Sequence, residues 1–252
     1  MLSKAQLKLI KSLEQKKFRK ETGLFVAEGG KTIGDLLACG LQCELIIADE
    51  EWLSKHTLNS NHKITTVSSE DIKKASFLRT PQGIIALFKQ PRHNNDTHHP
   101  TNELCLALDN VQDPGNMGTI IRIADWFGIE HIYCSAGCVD AFNPKTVQAT
   151  MGAIGRVKIH NVELAQFITS LDEKTPVYGT FLNGDNIYEQ PLSANGLIVM
   201  GNEGNGIGAE CERHINKRLF IPNYPQGRET SESLNVSTAT AIICSEFRRR
   251  VK

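Results

Sequence analysis

Apolar positions along this chain fall into short runs whose internal period switches between two and nearly four residues. Residues 45–48, 63–67 and 83–88 are apolar, β-branched runs of strand length. Residues 32–38 and 69–75 carry helical spacing, the second with Ser69 as its cap. Phe25-Val26-Ala27-Glu28 is a strand-like run that ends in the Gly29-Gly30 turn. Ahead of it, Leu2, Leu7, Leu9, Ile10 and Leu13 lie partly at helical spacing in an otherwise polar stretch. The pattern predicts a basic N-terminal helix over 1–20 and a small α/β domain over 21–90.

Proline, asparagine and histidine crowd the next stretch, with almost nothing apolar, which predicts an exposed linker over 91–102. Beyond it the runs resume. Residues 104–108 form the continuous apolar run of a buried parallel strand. Strands are predicted again at 131–134, 155–159, 177–181, 196–200 and 219–222. Helices are predicted at 116–127, 144–151, 164–171 and 208–214, and after residue 233 with Ser233 as N-cap. In the last helix Ala239, Ile242, Ile243 and Phe247 recur at helical spacing. Such alternation predicts an α/β domain over 103–252, with a parallel sheet covered on both faces.

Composition narrows the class. The 252 residues are 40% apolar and 22% charged, an ordinary soluble composition. The 28 Lys+Arg balance the 28 Asp+Glu, but not evenly along the chain. Residues 1–20 carry seven Lys/Arg against one Glu, and four of the last five residues are basic. Local basic patches keep a nucleic-acid partner in play despite zero net charge. Each cluster taken alone also fits a solvated helix surface. Seven cysteines without a CxxC pair read as small buried residues in a reducing cytosol. His93, His98 and His99 lack companion ligands at zinc-like spacing, so no metal is expected. No apolar run reaches membrane-spanning length, and the basic start lacks the apolar core of a signal peptide. A cytoplasmic protein is expected.

Three stretches carry candidate chemistry. Asp113-Pro114-Gly115-Asn116-Met117-Gly118-Thr119-Ile120-Ile121-Arg122 opens a helix after a strand. Val199-Met200-Gly201-Asn202-Glu203-Gly204-Asn205-Gly206 packs glycines at a strand end. That loop lacks the Gly-Lys-Ser/Thr ending of a P-loop and the GxGxxG dinucleotide fingerprint, so by itself it reads as a ligand loop or a plain one. The third stretch runs from Ser233 through Leu234, Asn235 and Val236 to Ser237.

In that order, the three resemble the motifs of the SpoU (TrmH-like) branch of the SPOUT RNA methyltransferases, over roughly residues 103–250. The resemblance implies S-adenosylmethionine-dependent methylation of a ribose 2′-hydroxyl in tRNA or rRNA by a homodimer. It also implies a deep trefoil knot at the C-terminus. Phe25-Val26-Ala27-Glu28-Gly29 and Thr80-Pro81-Gln82-Gly83-Ile84 resemble the start and end of the L30e-like substrate-binding domain that many such enzymes carry. By resemblance, Gly201, Ile221 and Leu234 would hold the cofactor through their backbones, with Thr180 as an additional wall. Arg122 would be essential, either activating the hydroxyl or clamping a phosphate. An arginine stays protonated, which favours the clamp. Asn116 would orient Arg122, Glu203 would fix Arg122 or RNA, and Asn235 would hold ribose or phosphate. Ser233 either shares in this or only caps the helix. The stretch 223–232 is longer than the family pattern implies. Two other readings remain: a non-catalytic RNA-binding protein on the same fold, and a nucleotide-dependent oxidoreductase that lacks the usual fingerprint.

Overall fold

In a computed structural model, residues 1–58, 62–91, 93, 99–225 and 233–250 are described. The chain divides into two compact units. The first holds residues 1–92 with 140–156, and the second holds 93–139 with 157–252.

The first unit opens on two helices where one is predicted. Helix α1 (Lys4–Ser12) is capped by Ser3, whose hydroxyl accepts from the Gln6 N–H. It ends at Leu13, and α2 (Lys16–Thr22) follows and stops at the left-handed Gly23. Strands β1 (Leu24–Glu28), β2 (Cys43–Asp49), β3 (Ile64–Val67) and β4 (Ile84–Lys89) form a sheet in the order β1-β4-β2-β3. Only the β2–β3 pair is parallel. Helices α3 (Gly30–Ala38), α4 (Glu50–Lys55) and α5 (Ser69–Ala75) connect them. Sequence spacing misses α4, one and a half turns long and capped by Asp49. Ser68, not Ser69, caps α5 by accepting from the Asp71 N–H.

Ile10 and Leu13 pack with Val26, Ile47, Ile72 and Leu87, so the N-terminal helix is part of this core. Arg19 is buried as well. Its Nε and Nη2 donate to Asp140 at 2.8 and 2.6 Å, and its Nη1 donates to the carbonyls of Leu13 and Glu14. That pair ties residue 140, where this unit's second segment begins, to the N-terminal helices.

The second unit begins with α6 (His99–Asn102), a turn of helix inside the predicted linker. Next come β5 (Leu104–Leu108) and α7 (Pro114–Trp126), which Asp113 caps and Pro114 opens. Strand β6 (His131–Cys134) leads into α8 (Pro144–Thr150) of the first unit. After left-handed Met151 and Gly152, residues 153–155 form a 3₁₀ turn. That turn delays β7 to Lys158–Asn161, where 155–159 is predicted. The chain continues through α9 (Leu164–Thr169), β8 (Val177–Asn186), β9 (Gly196–Met200), α10 (Ala209–Glu212), β10 (Lys217–Phe220) and α11 (Val236–Arg249). Six parallel strands result, in the order β10-β8-β9-β5-β6-β7. Strands β5 and β9 are buried along their whole length, as parallel central strands are.

The C-terminal arginines serve the fold. Arg248 donates to the carbonyls of Phe127 and Gly128, and Arg250 to those of Gln190 and Tyr188. Glu246, nearly buried, accepts from Arg249 and Arg250. All seven cysteines are free thiols. Among the described residues, no helix is long and apolar enough to cross a membrane.

The Arg19–Asp140 pair makes a test. Arg19→Met or Asp140→Ala leaves one partner of a buried pair uncompensated, and each should cost about 3 kcal/mol in urea unfolding. The double variant should lose clearly less than the sum of the singles. Strict additivity would show that the two groups do not hold each other.

Candidate active site

The C-terminal ends of the parallel strands gather the candidate residues, as open parallel sheets do near the point where strand order reverses. Thr180 lies on β8, Gly201 directly follows β9, and Ile221 directly follows β10. These three strands are neighbours. The loop after β9 is closed on itself. Asn202 pairs with Gly206 across an isolated bridge, and its Oδ1 accepts from the N–H groups of Gly204 and Asn205. A Cβ at Gly201 would sit 2.3 Å from the Gly206 carbonyl carbon, so the closure itself demands glycine there. Two bonds tie the loop to the end of β5: Asn202 Nδ2 donates to the Asn110 carbonyl, and the Gly208 N–H donates to Asp109.

Among the described residues, the peptide groups of Gly201, Ile221 and Leu234 enter no hydrogen bond. Gly201 and Ile221 are half-buried and Leu234 is exposed. A partly buried N–H seeks a partner, so these positions suit a ligand that offers acceptors. The residues present therefore fit the adenine and carboxylate groups of a bound S-adenosylmethionine.

Beside the strand ends runs a relay of side chains. Asn235 caps α11: its Oδ1 accepts from the N–H of Ser237 at 3.0 Å, from the Ser237 hydroxyl at 2.6 Å and from the Thr238 N–H. Its Nδ2 donates to Asn116 Oδ1 at 2.9 Å. Asn116 in turn donates to Glu203 Oε1. Asn116 is the third residue of α7, and its N–H donates to the Asp113 cap. Three segments far apart in sequence thus meet, with the N-terminal ends of α7 and α11 side by side. Helix N-termini carry partial positive charge, which suits a phosphate.

Asn116, Glu203 and Asn235 come together as the motifs suggest. Ser233 does not join them: it is exposed, and the cap expected of it belongs to Asn235. Sequence reading misses the part of Ser237, although the cap two residues ahead places its hydroxyl in the relay. Arg122 is exposed, on the face of α7 that also presents Thr119 and Trp126. Among the described residues it has no ion-pair or hydrogen-bond partner. Residues 226–232, most of the long stretch noted in the sequence, lie outside the described residues.

Known proteins share this fold. A model of the SpoU rRNA Methylase family matches residues 103–245, and one for an MRM3-like substrate binding domain matches residues 4–86. The chain is 32% identical over 241 residues to the Bacillus subtilis 23S rRNA (guanosine(2553)-2′-O)-methyltransferase RlmP, covering 94% of each chain. A TrmH-family structure from Porphyromonas gingivalis is 38% identical, with a TM-score of 0.88 over 100% of both chains. An AdoMet-bound rRNA methyltransferase from Sinorhizobium meliloti is 30% identical, with a TM-score of 0.85 over 100% of this chain and 97% of that one. By its sequence, its sheet and these matches, the chain belongs to the SpoU rRNA methylase family.

Proposed function

We propose that this protein transfers a methyl group from S-adenosylmethionine to a ribose 2′-hydroxyl of ribosomal RNA. The observation that carries the reading is the relay from Ser237 through Asn235 and Asn116 to Glu203, set beside strand ends whose backbone donors have no partner among the described residues. Relatives named as rRNA 2′-O-methyltransferases support ribosomal rather than transfer RNA. A homodimer belongs to the same reading, supported by the face of α7 where Arg122 lies beside Trp126, an indole 84% exposed. So does a C-terminal knot, supported by β10 lying on β8 while α11 returns to α7. Seven free thiols support a reducing, cytoplasmic setting.

When bound, S-adenosylmethionine supplies an electrophilic methyl group on its sulfonium. The chain's residues supply position and charge. Backbone N–H groups at Gly201, Ile221 and Leu234 hold the donor, and the half-buried Thr180 walls it. The paired N-termini of α7 and α11 draw in the RNA phosphate. Asn235 and Asn116 fix each other's amide planes, so their groups face the ribose with little reorganisation. Arg122 clamps phosphate in two-pronged fashion and stays protonated, so the hydroxyl proton leaves toward the substrate phosphate.

Transfer of labelled methyl groups to ribosomal RNA, followed by digestion to nucleosides, tests the reaction. Label should appear on ribose 2′-oxygens. Base-methylated products, or RNA binding with no transfer, would contradict the assignment.

Arg122→Ala should lower turnover by about 100-fold or more, as loss of a charge contact at the reacting centre does. Cofactor affinity should stay nearly unchanged by calorimetry. Turnover above about a tenth of the wild type would remove Arg122 from the mechanism.

RNA affinity is expected to depend on the N-terminal lysines. Lys4, Lys8, Lys16 and Lys17 are exposed, whereas Lys11 is occupied, donating to the Ser76 carbonyl and lying over Phe77. Changing the four exposed lysines to glutamine leaves the buried Ile10, Leu13 and Arg19 in place. The slope of log affinity against log salt should then fall by about two to three units. An unchanged slope would place RNA binding elsewhere.

A further inference from the structure

We infer that His99, Glu103 and His131 form a binding site for a divalent cation of the zinc class. The site lies at the N-terminal edge of the second unit's sheet, across from the strand ends that carry the relay, and it stands independently of the methyl-transfer reading.

Folding assembles the three groups from separate elements. His99 opens α6, Glu103 sits between α6 and β5, and His131 is the first residue of β6. His99 Nδ1 lies 2.9 Å from Glu103 Oε1, and His131 Nε2 lies 3.7 Å from the same oxygen. One ligand atom from each residue falls within 4.8 Å of the others. Bonds of about 2.0–2.1 Å place the ligands of a tetrahedral ion about 3.4 Å apart. A rotation of the two part-exposed side chains, His99 and Glu103, therefore closes the set around the fixed His131. Two imidazoles and one carboxylate favour zinc-like ions over calcium or magnesium, which prefer all-oxygen shells.

The surroundings are those of a ligand shell. The rings of His99 and His131 stack with centroids 3.6 Å apart, so the part-exposed His99 has to turn out of the stack for both ring nitrogens to face one ion. Behind them, His131 Nδ1 bonds His160 Nε2 at 2.9 Å, leaving His131 Nε2 turned toward Glu103. Metal-binding histidines are commonly oriented through their second nitrogen in this way. His160 itself is buried, and among the described residues its Nδ1 has no hydrogen-bond partner. An orphaned buried polar atom is costly, so His160 is better explained by its support of His131 than by its own bonding. Glu103 is 38% exposed at its side chain, which gives an ion a way in and leaves room for a water as fourth ligand.

A simpler use of His99 and Glu103 is a surface ion pair one helical turn apart, which accounts for their contact alone. It does not account for the buried His131, whose Nε2 lies 3.7 Å from the same carboxylate while His160 holds its Nδ1.

The test uses full-length, tag-free protein stripped with a chelator and titrated with Co²⁺ and then Zn²⁺. Visible cobalt absorption should saturate at one ion per chain and be displaced by zinc. His99→Ala and Glu103→Gln, both on part-exposed side chains, should each weaken zinc binding at least about tenfold by calorimetry. His214→Ala, at an exposed histidine elsewhere, should bind as the wild type does. Absence of saturable binding to the wild type would overturn the inference. So would wild-type affinity in both site variants, or an equal loss in the His214 control.

Discussion

One side-chain amide holds the active edge together. Asn235 spends its oxygen on capping α11 and its nitrogen on Asn116 of α7. A cap must take an extended backbone and present its side chain to the first turn, so the same residue that starts α11 also fixes where that helix meets α7. Asn116 then passes the constraint to Glu203 in the loop after β9. Each hydrogen bond is worth only about 1 kcal/mol net, and these sit at the surface. They cannot hold up the fold, which rests on buried strands such as β5 and β9. What the relay supplies is position: three segments are locked into one arrangement beside the strand ends.

Strands and long helices were legible because their chemistry is local. Residues 104–108, 131–134 and 196–200 emerge as predicted, being continuous apolar runs with clear ends. Boundaries went astray where a short polar device decides them. Ser233 and Ser69 look like caps, yet Asn235 and Ser68 have the geometry. Left-handed Met151 and Gly152 delay β7 by three residues, and nothing in apolar periodicity signals that turn.

The candidate site was legible only in part, for a similar reason. Asn116, Glu203 and Asn235 stand in separate motifs, and their order along the chain points to them without revealing the relay. Arg122 and Asn116 share a helix but not a face, since six residues at about 100° each leave them about 120° apart. The histidines tell the reverse story. His99 and Glu103 are one helical turn apart in sequence, but no spacing adds His131, which parallel strand pairing brings beside them. Charge was the least legible property. The C-terminal arginines look available to RNA but are engaged with carbonyls and Glu246, and Arg19 is sealed against Asp140. Counting basic residues does not reveal which ones the fold has already used.

The central claim is that Asn116 and Asn235 act as one unit in methyl transfer. A double-mutant cycle measures it most directly: turnover of Asn116→Ala, Asn235→Ala and the double variant, each checked for folding and cofactor binding. Residues that act as a unit are strongly non-additive, so the double variant should lose little more activity than the worse single. Losses that multiply would contradict the account, showing two independent contacts rather than a relay.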